Sequence, residues 1–154
     1  MTTGLLNIGD IEKFSIVDFP SKMAVVVFMQ GCPWRCPFCY NQTLQNPHIE
    51  GDAEWDNLIH LLEHRKGIID AVVFSGGEPL MQKEALIELC GMLRDFDIAV
   101  YTGHPIEDVP EELLQKIKYI KTGPFIKELR TTVKSYVGSE NQEFRRVDHE
   151  TEMQ

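Results

Sequence analysis

Residues 23–42 read MAVVVFMQGCPWRCPFCYNQ, and the first seven of them decide the fold. Met23-Ala24-Val25-Val26-Val27-Phe28-Met29 is an unbroken apolar run rich in β-branched residues, without the polar alternation of a half-exposed strand. Such a run suits a strand buried on both faces, as in a parallel sheet. Residues 70–75 (DAVVFS) and 97–102 (DIAVYT) repeat the pattern, and Lys118–Lys121 is a shorter, weaker fourth.

Helical stripes lie between these runs. Trp55, Leu58, Ile59 and Leu62 recur at i, i+3, i+4 and i+7 after Asp52, which suits an N-cap. Leu86, Leu89, Cys90 and Leu93 repeat the spacing, and Val109, Leu113, Leu114 and Ile117 form a third stripe with Pro110 in its first turn. Strand alternating with helix predicts βαβ units and an α/β fold with mostly parallel strands. Before position 20 the sequence alternates loosely and suggests an N-terminal hairpin segment over about 1–22. After Gly123 the pattern weakens into a C-terminal extension, 123–154, ending in the polar tail EFRRVDHETEMQ. No internal repeat and no linker long enough to divide domains is present, so residues 1–154 read as a single domain.

The charge balance narrows the function. With 15 Lys and Arg against 24 Asp and Glu, the formal charge is −9. A field of that sign repels a phosphate backbone and disfavours nucleic acid as a partner. No apolar run approaches the length of a bilayer span, and the N-terminus MTTGLLNIGDIEKF lacks the basic and apolar regions of a signal peptide. Both features point to a cytoplasmic protein without a membrane partner. There, closely spaced cysteines act as metal ligands or catalysts more often than as disulfides.

Ligands of a parallel sheet collect at the carboxyl ends of its strands. The segments in that position are QGCPWRCPFCYNQ, GGEPL and GHP. The first holds Cys32, Cys36 and Cys39, spaced C-x3-C-x2-C. Thiolates are soft ligands that select zinc, copper(I) or iron–sulfur clusters. The fourth cysteine, Cys90, falls on a helical apolar stripe and reads as core. His60 and His64 share a helix face opposite the apolar stripe and read as solvated. Two readings then stay open. His48 would complete a closed Cys3His zinc site, making the chain a zinc-binding interaction module. Three thiolates on a [4Fe–4S] cluster would instead leave one iron open for a ligand.

The cysteine spacing, with Phe38 just before Cys39, resembles the signature of the radical S-adenosylmethionine superfamily. The resemblance implies a partial (β/α) barrel. It implies that Cys32, Cys36 and Cys39 hold a [4Fe–4S] cluster whose open iron is chelated by the amino and carboxylate groups of S-adenosylmethionine. Phe38, Tyr40 and Asn41 would then line the cofactor's pocket. Ser75-Gly76-Gly77-Glu78-Pro79 is similar to the superfamily's second motif, so Gly76, Gly77 and Glu78 are implied to hold the methionine amino group. Its ordinary reading is a tight β-to-α turn. Thr102, by the same resemblance, would contact the ribose or methionine; otherwise it only ends a strand. No catalytic side chain beyond the cluster and cofactor is expected.

Several stretches resemble the anaerobic ribonucleotide reductase activating proteins in particular. They are Phe14–Pro20 (FSIVDFP), Gln30–Asn41, Tyr119–Phe125 (YIKTGPF) and Gly138–Gln142 (GSENQ). That family implies an activase that forms a 5′-deoxyadenosyl radical and places a glycyl radical on the reductase large subunit. Flavodoxin or ferredoxin would be its electron donor. Two positions depart from the pattern. Ser21 stands where a glycine commonly follows the proline, and Lys121-Thr122 where many members carry an acidic residue before glycine. A small enzyme acting on a free heterocycle, of the 7-carboxy-7-deazaguanine synthase type, is the alternative with the same cofactors.

Overall fold

The computed structural model describes residues 7–31 and 55–147. Its centre is a six-stranded sheet whose spatial order follows the chain. The strands are β1 (Ile8–Ser15), β2 (Ala24–Met29), β3 (Ala71–Ser75), β4 (Asp97–Tyr101), β5 (Tyr119–Thr122) and β6 (Glu143–Arg146). β2 to β5 are parallel, and the two outer strands pair antiparallel with their neighbours. The parallel strands are the four apolar runs of the sequence, so the expected α/β architecture is the observed one. Among the described residues β1 and β6 are the edges of an open sheet.

Period-2 alternation sorts the strands into two faces. Val25, Val27, Met29, Val72, Phe74, Ile98, Val100 and Ile120 point to the side covered by the helices α1 (Trp55–His64), α2 (Lys83–Met92) and α3 (Glu111–Leu114). There they pack against Leu58, Leu62, Leu86, Leu89, Leu113 and Ile117. The opposite face carries smaller side chains, Ala24, Val26, Ala71, Val73 and Ala99, packed with Phe19. Large residues fill the helical side, and small ones leave the other side hollow.

Three elements differ from the sequence expectation. Residues 7–22 contain one strand, β1, whose antiparallel partner is β2, so the second arm of the expected hairpin is the first parallel strand itself. Its register shifts between Ile8 and Asp10 and between Glu12 and Ser15, irregularities that bend an edge strand. The third helical stripe shrinks to a single turn, because Pro105 and Pro110 confine the chain to a 3-10 turn at Ile106–Asp108 and then restart it at Glu111. β6 arises within the segment expected to be an irregular extension.

Candidate functional site

The loops after β2, β3 and β4 meet at one end of the sheet, and a single turn fastens them. Gly76 and Gly77 adopt φ of 58° and 26°, a region open to glycine at little cost. A side chain at Gly77 would collide with the carbonyl oxygens of Met29 and Gly31, so this glycine lets the β3 turn press against the end of β2. The next residue continues the contact: the Glu78 amide donates to the Gly31 carbonyl at 2.6 Å. Gly31 immediately precedes Cys32.

The Glu78 side chain reaches the other way. It is 1% exposed, and its carboxylate accepts from the Leu80 amide at 2.8 Å, the Thr102 hydroxyl at 2.6 Å and the Gly103 amide at 2.8 Å. The Leu80 bond caps the 3-10 turn that leads into α2. Thr102, 2% exposed, also accepts from the His104 amide through its hydroxyl. Of the sequence-predicted residues, Gly76, Gly77, Glu78 and Thr102 are therefore brought together at the root of the cysteine loop. Cys32, Cys36, Phe38, Cys39, Tyr40, Asn41 and His48 lie outside the described residues.

Gln82 is a participant that sequence reading missed. Its amide donates to the carbonyls of Asn7 and Gln30 at 3.0 and 3.1 Å, and its oxygen accepts from the Asn7 amide at 2.7 Å. It ties the entrance of β1 and the end of β2 to the start of α2. The signal was a polar residue four positions past the GGE turn, which is too common to stand out.

Beneath these loops the hollow face holds a cleft of about 550 Å³. Phe28 pairs with Ser75, Phe74 with Val100 and Tyr101 with Lys121, so Phe28, Ser75, Tyr101 and Lys121 form one row across its floor. Asp18 and Tyr136 stand on opposite banks. The Lys121 ammonium lies 4.6 Å from the centre of the Tyr101 ring, a cation–π contact. Burial pushes the Lys121 pKa below that of an ordinary lysine, and Asp18 opposes the shift. Tyr101 donates its hydroxyl to the Asp18 carbonyl, and burial raises its pKa. Lys121, noted in the sequence only as a departure, is thus the cation on the floor of the cleft.

The GSENQ stretch proves to be a clasp. Gln142 accepts from the Gly138 and Ser139 amides at 2.7 and 3.2 Å and donates to the Gly123 carbonyl at 2.9 Å. Asn141 donates to the Pro124 carbonyl at 2.8 Å. Together they bind the loop after β5 to the segment before β6 and hold the Tyr136 bank, where Tyr136 stacks on Phe144 with ring centres 4.6 Å apart.

Cys90 is 2% exposed within the core, and burial pushes its thiol up to about 12. His60 and His64 lie side by side on the exposed side of α1, 4.0 Å between ring centres with the rings tilted by 39°. Among the described residues no group of three or more His, Cys, Asp or Glu could hold a metal ion, and no helix is long and apolar enough to cross a membrane. The segment that follows Gly31 carries Cys32, Cys36 and Cys39 in the sequence. Its donor set, three thiolates within eight residues, fits an iron–sulfur cluster.

Comparison with known proteins also points to an iron–sulfur cluster. Residues 22–145 match the family described as a 4Fe-4S single cluster domain. The chain is 30% identical over 145 residues to the anaerobic ribonucleoside-triphosphate reductase-activating protein of enterobacteria phage T4, covering 89% of this chain and 92% of that protein. A putative glycyl-radical enzyme activating enzyme of Methanocaldococcus jannaschii is 34% identical over 112 residues, 70% of this chain and 45% of its own length. The pyruvate formate-lyase-activating enzyme of Clostridium pasteurianum is 35% identical over 93 residues, 58% of this chain and 39% of its own length. The chain thus spans less than half of these two longer relatives and nearly all of the phage protein. QueE from Escherichia coli, a solved structure, aligns with a TM-score of 0.43 and 18% identity, over 76% of this chain and 68% of that one. The chain belongs to the 4Fe-4S single cluster domain family of radical S-adenosylmethionine proteins, alongside the phage reductase-activating protein and other activators of glycyl-radical enzymes.

Proposed function

We propose that this protein is a radical S-adenosylmethionine activase that generates a glycyl radical on a partner enzyme, the large subunit of an anaerobic ribonucleoside-triphosphate reductase. The observation that carries the reading is the fastening of the GGE turn to Gly31, the residue that precedes the first cysteine in the sequence. The near-complete coverage of the phage reductase activator supports the choice of partner.

Cys32, Cys36 and Cys39 would hold the [4Fe–4S] cluster, and the loops ending at Gly31, Gly77 and Gly103 would hold S-adenosylmethionine. When bound, this pair supplies the 5′-deoxyadenosyl radical that removes hydrogen from the target glycine. The chain's own part is positional. The buried Glu78–Thr102 contact fixes the spacing of the loops, and Phe28, Ser75, Tyr101 and Lys121 floor the space directly below them. A flavodoxin or ferredoxin would deliver the electron, as the resemblance to the radical S-adenosylmethionine superfamily implies.

The test is anaerobic reconstitution with iron and sulfide, followed by reductant, S-adenosylmethionine and the reductase large subunit. The expected result is 5′-deoxyadenosine release together with a glycyl radical signal in EPR of the large subunit. Turnover of a free pterin substrate without any protein radical would overturn the choice of partner. A colourless chain holding one zinc would overturn the whole reading.

A further inference from the structure

A carboxylate in a cofactor motif invites the view that it binds the cofactor's positive charge, but the geometry here gives Glu78 other work. We propose that Glu78 is a positioning residue, a strut whose carboxylate joins the loop after β3 to Thr102 and Gly103 while its amide holds the root of the cysteine loop. This rests on the radical S-adenosylmethionine reading and gives the carboxylate the work of holding the loops together.

An ionised carboxylate offers about four acceptor sites. Three of them are filled by Leu80, Thr102 and Gly103, and the group is 1% exposed. Its partners are these three neutral donors, and among the described residues no cation pairs with it. The same residue's amide bonds Gly31 at 2.6 Å, next to the first cysteine. Its neighbour Gly77 sits so close to Met29 and Gly31 that no side chain fits between them. One dipeptide therefore touches the ends of β2, β3 and β4 together. Thr102 spends its hydroxyl proton on Glu78 and accepts from His104, which marks it as the second member of the strut.

A strut and a direct ligand respond differently when Thr102 is changed. Thr102→Val removes one donor to Glu78 but leaves the carboxylate, its charge and the shape of the site. The reconstituted holoproteins of wild type, Thr102→Val, Thr102→Ser, Glu78→Gln and the Thr102→Val/Glu78→Gln double variant are compared. The readouts are iron and sulfide content, S-adenosylmethionine affinity by equilibrium dialysis, and the EPR spectrum of the reduced cluster with and without S-adenosylmethionine.

The strut predicts that Thr102→Val weakens affinity about tenfold and alters the cofactor-induced change in the cluster spectrum. Thr102→Ser, which keeps the hydroxyl, returns both to within about twofold. The double variant is no worse than Glu78→Gln alone, because both changes break one unit. Wild-type affinity in Thr102→Val beside a large loss in Glu78→Gln would overturn the proposal, as would losses that multiply in the double variant. Should Glu78→Gln not fold, the two Thr102 variants decide the matter alone. A wild-type chain that assembles the cluster yet binds no S-adenosylmethionine would sink the activase reading itself. A wild type that binds it and is matched by Thr102→Val would sink only the strut.

Discussion

Replacing Cys90 by alanine should leave the metal centre intact, and the reason can be worked from its surroundings. The thiol is 2% exposed on α2, packed in the core cluster that includes Leu86, Leu89 and Leu93. Burial lifts it from an ordinary 9.0 to about 12, against a weaker opposing pull from Lys116. Only the thiolate binds iron. At pH 7 about one Cys90 in 10⁵ is ionised, and forming the thiolate costs about 4 kcal/mol more than at an exposed site. The substitution removes one sulfur from a packed interior, for a loss of about 1 kcal/mol. Anaerobically reconstituted Cys90→Ala should therefore match wild type in iron and sulfide per chain, with a slightly lower urea midpoint. In the native protein Cys90 should react with iodoacetamide about 10³ times more slowly than a free thiol. Loss of iron in Cys90→Ala, or alkylation of folded protein at an ordinary rate, would refute this account. Cys32→Ala, Cys36→Ala and Cys39→Ala should each abolish S-adenosylmethionine cleavage.

Other expectations follow from single positions. Gly77→Ala places a methyl against two backbone carbonyls at positive φ and should cost at least about 3 kcal/mol in urea unfolding; a loss under about 1 kcal/mol would mean the loop relaxes freely. Ser21 holds φ of 63°, so Ser21→Gly should raise stability by up to about 1 kcal/mol, and a decrease would show that its side chain matters more than the strain. Asp97 receives Lys22 at 2.5 Å and Lys118 at 3.4 Å. Burial works against its charge, but the two lysines hold its pKa below the usual carboxylate value. A lowered carboxyl pKa contributes stability above the unfolded value near 3.8, lost as pH falls through the folded one. Asp97→Asn should therefore be less stable at pH 6 and converge on wild type as pH falls below the folded carboxyl's titration; a constant gap over the whole acid range would contradict the pairing. Lys121 has the opposite sign: its lowered pKa means the folded chain binds fewer protons than the unfolded one near pH 10 and below, so neutral pH disfavours the fold. Lys121→Met should raise the urea midpoint at pH 7, and a lowered midpoint would mean that the ammonium is well paired.

The parallel strands could be read from the chain because burial on both faces writes itself as uninterrupted Val, Ile and Phe. β6 could not, since EFRR places one inward aromatic, Phe144, among charges, and an edge strand half exposed to water asks for little more. The stripe at Val109–Ile117 was right about which residues are buried and wrong about how, because Val109, Leu113 and Ile117 reach the core from a turn and its flanks as well as from a helix would. The GGE turn was singled out by resemblance to a family motif, whereas its contacts were not legible. Glu78 was marked by its charge, whereas what it touches depends on where β4 ends, and no local pattern encodes that distance. Ser21 shows the converse case. Its departure from a glycine was visible in the sequence, and the positive φ supplies the reason a glycine belongs there.

The row Phe28, Ser75, Tyr101 and Lys121 has a consequence for how such a protein can change over time. Each strand shows alternate residues to the cleft, so inserting or deleting one residue in β5 would turn Lys121 under the helices and bring Ile120 or Thr122 to the floor. Because the neighbours are bonded in fixed register, a slip in one strand would break pairing on both of its sides. The floor can therefore be rewritten only by substitution, one position at a time, at sites already facing inward. A lineage exploring new partners would vary these four side chains and the banks beside them, while the lengths of the strands beneath stayed fixed.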